Sequence, residues 1–236
     1  MYRRLDRVTI VSEVHPQFGG DIANLKTMIL QSKMGGADAI KVQLMTSMAM
    51  FGDQRKQHTE ITFDELCEIK EYCDTLGIEL FASVFDHQKI GWCEELGFKQ
   101  YKIASRMLNN RELCERVISI GKPVIVSTGF DPGKFPYDAP NVSYLYCVSN
   151  YPTMVEEVSM PNFRNSRYIG YSDHTVGLTA CQVAIVRGAK YIEKHFTLST
   201  ALQSSFEKGH LGSMTYEYLV ELRRFSEDVQ LIKFSE

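Results

Sequence analysis

The chain has 236 residues, 44% of them hydrophobic and 23% charged, and carries a formal net charge of -3. That balance excludes a disordered or membrane-embedded polypeptide, and the lack of a basic excess argues against nucleic acid or an anionic membrane as partner. The length suits one domain over residues 1–236, built on a single large core.

The opening stretch MYRRLDRVTIVSEV reads as running straight into a strand, with no signal peptide. No apolar run approaches the roughly 18 residues that a bilayer span needs. The expectation is a cytoplasmic protein. Cys67, Cys73, Cys93, Cys114, Cys147 and Cys181 include no CxxC pair and fall mostly inside periodic segments, so buried free thiols are expected.

Short β-rich runs alternate with helical patterns along the chain. The first run, 8–14, is followed by a helix over 21–34 and a second run over 37–43. Run 78–84 follows a helix at 62–76, run 98–105 follows one at 86–96, and run 123–128 follows one at 109–120. Runs 142–149, 168–172 and 189–195 complete the series, with helices expected at 176–187 and 215–229. Glycines at 77, 97, 121 and 188 stop the helices. The segment FDPGKFPYDAPN, 130–141, is too short and too rich in Pro and Gly for a helix, and 160–167 has room for one or two turns. Alternation of this kind implies a parallel sheet, and eight strands in one series favour a (β/α)8 TIM barrel with a reduced or missing fifth helix over an open doubly wound sheet.

Nearly every run ends in polar residues that a buried strand would not select. These are Glu13; Lys41 and Gln43; Ser83; Lys102 and Ser105; Ser127; Ser149 and Tyr151; Ser172, Asp173 and His174; and Glu193, Lys194 and His195. In a barrel such strand ends meet at one mouth. Lys41 and Lys102 either snorkel or pair with core carboxylates, or else they join the serines in a cationic, hydroxyl-rich bowl for a compact polyanion carrying phosphate and carboxylate. His195 is either a satisfied core histidine or, with His210 from the following loop, a ligand for a divalent ion, a spacing with no specificity of its own. Glu13 serves as a base or water-orienting group, or simply pairs with Lys41. His15, His58 and His87 read as surface or loop residues.

The ordered series VSEV with GGD, GADAIKVQ, KIAS with NN, GKPVIVSTG, CVSNYP, GYSDHT and IEKHFTL resembles the sialic acid synthase family, also called N-acetylneuraminate synthase or NeuB-like. The resemblance covers about 8–214, and GYSDHT with IEKHFTL is its most specific part. It implies a TIM-barrel transferase that condenses phosphoenolpyruvate with an N-acyl amino sugar to a sialic-acid-like 2-keto-3-deoxy nonulosonic acid and phosphate. On matching positions, Lys41, Lys102, Ser83, Ser105, Ser127 and Ser149 would bind phosphoenolpyruvate. Gln43, Tyr151 and Asp173 would contact the sugar, with Ser172 beside them. His195 and His210 would hold a divalent metal, usually manganese with magnesium as the substitute, and Glu13 would position the attacking water.

The chain departs from the family pattern at several places. Gln17 and Phe18 stand where an Asn-His pair is usual, Met107 replaces a glutamate, Val148 a threonine and Gly209 an aspartate. The family's small antifreeze-like C-terminal domain has no counterpart in the 236 residues, which leaves the acceptor open and allows a lid from a separate chain. The family expectation is a homodimer. Two further readings come with it: an inactive or regulatory barrel that still binds phosphoenolpyruvate or a related anion, and a Schiff-base aldolase using Lys102 or Lys194.

Overall fold

In the computed structural model, which describes residues 7–201 and 210–232, eight parallel strands close into a barrel in sequence order. They are β1 (Thr9–Glu13), β2 (Ala39–Leu44), β3 (Glu79–Val84), β4 (Tyr101–Ile103), β5 (Val124–Ser127), β6 (Val142–Cys147), β7 (Tyr168–Asp173) and β8 (Tyr191–His195). Closure is made by β1 against β8, where Val11 faces Glu193 and Glu13 faces His195. On the other side of β1, Glu13 faces Lys41. No helix among the described residues is long and apolar enough to cross a membrane.

The outer layer comprises α1 (Ile22–Met34), α2 (Ser47–Phe51), α3 (Phe63–Leu76), α4 (His87–Glu95), α5 (Arg111–Ser119), α6 (Thr179–Val186) and α7 (Tyr216–Leu231). Their starts are locally encoded. Asp21 accepts from the amides of Ala23 and Asn24 to open α1, and Thr62 with Glu65 forms a capping box on α3. The longer helices then bury an apolar stripe, such as Leu25, Met28 and Ile29 of α1 or Leu66, Ile69 and Cys73 of α3, against the barrel core. Each Leu or Ile so buried contributes roughly 1.5–3 kcal/mol. All six cysteines are free, and all but Cys67 are buried.

At the N-terminal face of the barrel, α7 is pinned by Arg223. Its guanidinium donates to the carbonyls of Gly36 and Val8, each at 2.9 Å, and pairs with Asp38, whose carboxylate also accepts from the Ile10 amide. A buried guanidinium with this many partners ties the last helix to the first two strands.

No helix follows β5, as the sequence predicts. Aromatic packing covers the sheet there instead: the Phe135 ring lies 4.9 Å from Tyr144 and 4.9 Å from Tyr168, and Tyr137 donates to the Leu108 carbonyl. The 160–167 segment holds one 3-10 turn, Phe163–Asn165. Two local differences from the sequence reading bear on the site. The fourth strand stops at Ile103, so Ser105 opens a 3-10 turn, Ser105–Met107, rather than ending a strand. The short helix α2 between β2 and α3 was not expected from the pattern; with three of its five residues in the segment SMAMF being Met or Phe, its composition carries no amphipathic period to read.

Candidate active site

Side chains alternate across a strand, so residues two apart share a face. On β8 this places Glu193 and His195 inside the barrel; on β2 it places Lys41 and Gln43 there. The open cavity at the C-terminal mouth is lined by Lys41, Gln43, Ser83, Lys102, Ser105 and Ser127 on one arc, and by Ser149, Tyr151, Ser172, His195 and His210 on the other. These eleven predicted positions come from seven strand ends and the 210 region, and the closed sheet gathers them.

The floor is an ion cluster. Lys102 Nζ lies 2.7 Å and Lys41 Nζ 2.9 Å from Glu193 Oε1, Lys41 also pairs with Glu13 Oε2 at 2.6 Å, and Ser172 donates to Glu193 Oε1 at 2.9 Å. The expected cationic bowl is therefore charge-balanced at its base. Burial works to raise the Glu193 pKa, but Lys102 and Lys41 outweigh it and hold the carboxyl well below the usual range. Burial, with the nearby Glu193 carboxylate, raises the Glu13 pKa, and Lys41 and the His15 amide only partly offset this. Lys41 is raised, because Glu13 and Glu193 outweigh its desolvation; Lys102 is lowered by burial, with Glu193 opposing. A proton added to this cluster therefore goes to Glu13 before Glu193.

Above the floor, hydroxyls are ready for a ligand. Ser83 Oγ and Ser127 Oγ are buried without a hydrogen-bond partner among the described residues. An ammonium has three N–H donors, so both lysines retain capacity beyond their carboxylate bonds. Gly129 belongs to the same wall: its amide donates to Ser105 Oγ at 2.9 Å, and a Cβ there would stand 2.1 Å from Ser149 Oγ and 2.4 Å from Cys147 Sγ. Only a residue with no side chain lets the backbone and these groups converge.

The other wall is a group of rings. His195 and His210 have centroids 4.4 Å apart, His174 lies 5.8 Å from His195, and Tyr151 packs 4.2 Å from His174 and 5.2 Å from His210. Burial, reinforced by the other cationic groups, lowers the pKa of His210 to about 3 and that of His195 well below its usual value. Burial also lowers His174, to about 4, against the pull of the Val148 carbonyl 2.7 Å from its Nδ1. Neutral imidazole is the form that ligates metal. Gln17 Oε1 sits 3.3 Å from His195 Nδ1, an outer partner that orients the ring and leaves Nε2 as its lone-pair nitrogen. No cluster of three or more His, Cys, Asp or Glu side chains arranged to hold a metal occurs among the described residues. His195 and His210, adjacent neutral imidazoles, could hold a divalent ion, and two such donors would leave positions open for water or substrate, unlike a closed structural site.

Three positions need correction. Asp173, expected at the sugar site, lies on the outer side of the barrel: it alternates with inward-facing Ser172, and its carboxylate pairs with Lys194 Nζ at 2.5 Å and takes the amide and hydroxyl of Thr175. Lys194 is turned outward by the same alternation and is fully buried in that pair. His15, read as a loop or surface residue, is 1% exposed and lines the cavity. His58 and His87 are exposed. Glu13 reaches the cavity only through Lys41, its other oxygen accepting from the His15 amide.

Glu193, His15 and His174 are cavity-lining positions that carried no role in the sequence reading. The period-2 rule flags each of them, since Glu193 is in phase with His195, His15 with Glu13 and His174 with Ser172. Of the departures noted above, Gln17 supports His195, Phe18 is buried against His15 at 5.5 Å, and Met107 packs on the core; Gly209 lies outside the described residues.

The family described as the NeuB family matches residues 28–233. The chain belongs to the NeuB family. This NeuB-family barrel is 32% identical over 213 residues to an uncharacterized protein of Methanocaldococcus jannaschii, covering 82% of the chain and 63% of that protein. It is 28% identical over 261 residues to the N,N'-diacetyllegionaminic acid synthase of Legionella pneumophila, covering 94% and 72%. The chain thus spans about two thirds of the length of these curated relatives. Among solved structures it is similar to an N-acetylneuraminic acid (sialic acid) synthetase from Leptospira borgpetersenii in complex with citrate, with 26% identity and a TM-score of 0.84 over 95% of this chain and 84% of that one. The relatives of this NeuB-family chain include synthases of sialic, legionaminic and pseudaminic acids.

Proposed function

We propose that this chain joins phosphoenolpyruvate to the open-chain aldehyde of an N-acyl amino sugar, giving a 2-keto-3-deoxy nonulosonic acid and phosphate. The observation that carries this reading is the pairing of Lys41 and Lys102 on Glu193 beneath unpartnered Ser83 and Ser127 hydroxyls. A small acid with phosphate and carboxylate groups suits that arrangement, because it can take the spare ammonium N–H groups and the hydroxyls together. The citrate bound to the Leptospira synthetase is likewise a compact polyanion.

In the reaction, C3 of the enol forms the new bond to the aldehyde carbon, water adds at C2, and the resulting tetrahedral carbon expels phosphate. Lys102, Ser105, Ser127, Ser149 and the Gly129 wall hold the phosphate and neutralise it as it leaves. Lys41 holds the carboxylate, with Glu13 positioning Lys41 from below and receiving a proton more readily than Glu193 does. Gln43, Tyr151 and Ser172 bound the space left for the sugar. His195 and His210 would hold a divalent cation, manganese or magnesium, whose contribution is Lewis-acid polarisation of the aldehyde oxygen.

The test is a phosphate-release assay with phosphoenolpyruvate, manganese and a panel of N-acyl hexosamines. At least one sugar should give release, and Lys102→Gln should weaken phosphoenolpyruvate binding about 10- to 100-fold, the worth of a buried charge-assisted hydrogen bond. Tight phosphoenolpyruvate binding with no release from any sugar would instead point to an anion-binding barrel without turnover.

A further inference from the structure

The imidazole of His15 is buried on the cavity wall, and neither Nδ1 nor Nε2 has a hydrogen-bond partner among the described residues. Leaving both polar atoms of a buried side chain unmade costs about 1–3 kcal/mol each, so such a ring persists where a ligand completes it. Its position is held from two sides: the His15 amide donates to Glu13 Oε1 at 3.0 Å, and the ring packs against buried Phe18.

Strand order decides which ligand. The serine and Gly129 wall rises from the ends of β4, β5 and β6, whereas His15 follows β1, across the closed barrel and on the side of β8 and His195. The electrostatic neighbours of the ring are His210, Lys41 and Lys56, all on this side or at the mouth. The phosphate group and His15 therefore occupy different arcs, with Lys41, the carboxylate-binding residue, between them.

Chemistry gives the same division. A neutral imidazole offers one donor and one acceptor. An oxyanion accepts only, and would face one of the two nitrogens lone pair to lone pair. A hydroxyl or an N-acyl amide gives and takes, and satisfies both nitrogens. We propose that His15 is a specificity-determining contact for the polyhydroxylated acceptor, bonding a hydroxyl or the acylamino group through its two ring nitrogens. This rests on the synthase reading above and names the residue through which this chain grips its second substrate.

The experiment is calorimetric titration of wild type, His15→Ala and His15→Asn with three probes: phosphoenolpyruvate, Mn(II), and the non-reacting alditols of N-acetylhexosamines added to the phosphoenolpyruvate- and manganese-loaded protein. His15→Ala should lose alditol affinity by about 10-fold or more while the other two affinities stay within about twofold. His15→Asn, which keeps one donor and one acceptor, should recover part of the loss, and serves as the comparison if the alanine variant does not fold. Unchanged alditol binding, or an equal loss of phosphoenolpyruvate or manganese binding, overturns the role of His15 and leaves the synthase reading standing. A wild type that binds phosphoenolpyruvate but no alditol sinks both.

Discussion

Lys102 Nζ lies 2.7 Å from Glu193 Oε1, a buried contact between residues 91 apart in the chain. That bond, shared through the same oxygen with Lys41, sets the charge of the cavity floor.

Glu193→Gln should be the most damaging single change at the floor. It strands the buried Lys102 ammonium and leaves Lys41 paired with Glu13 alone, and breaking a buried pair from one side costs about 3–5 kcal/mol. The Glu193 pKa is depressed in the folded state, so its stabilisation is present above the unfolded value of roughly 4.3 and is lost as pH falls toward the lower folded value. Urea unfolding at pH 7 should show the full gap between wild type and variant, and the gap should narrow below about pH 4. Glu13→Gln should cost less, since burial already favours the protonated form of Glu13. Equal losses for the two variants would contradict this ordering.

Gly129→Ala should weaken anion binding and also cost stability. The added methyl would stand 2.1 Å from Ser149 Oγ and 2.4 Å from Cys147 Sγ, so these cavity-lining side chains must shift to admit it. Titration of the folded variant with phosphoenolpyruvate measures the loss of affinity, and a thermal melt measures the loss of stability separately. Undiminished affinity would remove Gly129 from the site.

Lys194→Met should destabilise without touching the chemistry. Lys194 and Asp173 are both fully buried outside the strand cylinder, and unpairing them should cost about 3–5 kcal/mol in chemical denaturation. Phosphoenolpyruvate affinity of the folded variant should match wild type. Borohydride treatment of the wild type with a keto acid should leave no adduct at Lys194 by mass spectrometry, because its ammonium is bonded to Asp173 and to the Thr175 carbonyl. A modified Lys194 would overturn this placement.

Gln17→Ala should weaken manganese binding about 10- to 100-fold, the usual effect of losing an outer partner of a ligating histidine. Electron paramagnetic resonance titration of Mn(II) is the direct measurement, with His210→Ala as the reference for loss of a ligand. Wild-type manganese affinity in the Gln17 variant would mean that the 3.3 Å contact to His195 does not orient the ring.

The barrel was legible before any coordinates because its instructions are local. Val and Ile runs with period 2, helix caps such as Asp21 and Thr62, and terminating glycines such as Gly77 act within a few residues, and so does the proline- and glycine-rich stretch that denies β5 its helix. The same locality identified which strand ends are polar, and the motif series pointed to the family that the comparison then established.

What the sequence by itself determined is therefore the eight-strand order and most of the residues that could reach the mouth. Only the tertiary structure decided how those residues share charge and space, since ion pairing depends on distances across the closed sheet. Glu193 meets Lys102 and Lys41 only when β8, β4 and β2 surround one axis, Asp173 is lost to Lys194 on the far side of β7, and His15 comes to line the wall because Glu13 and Phe18 hold it there.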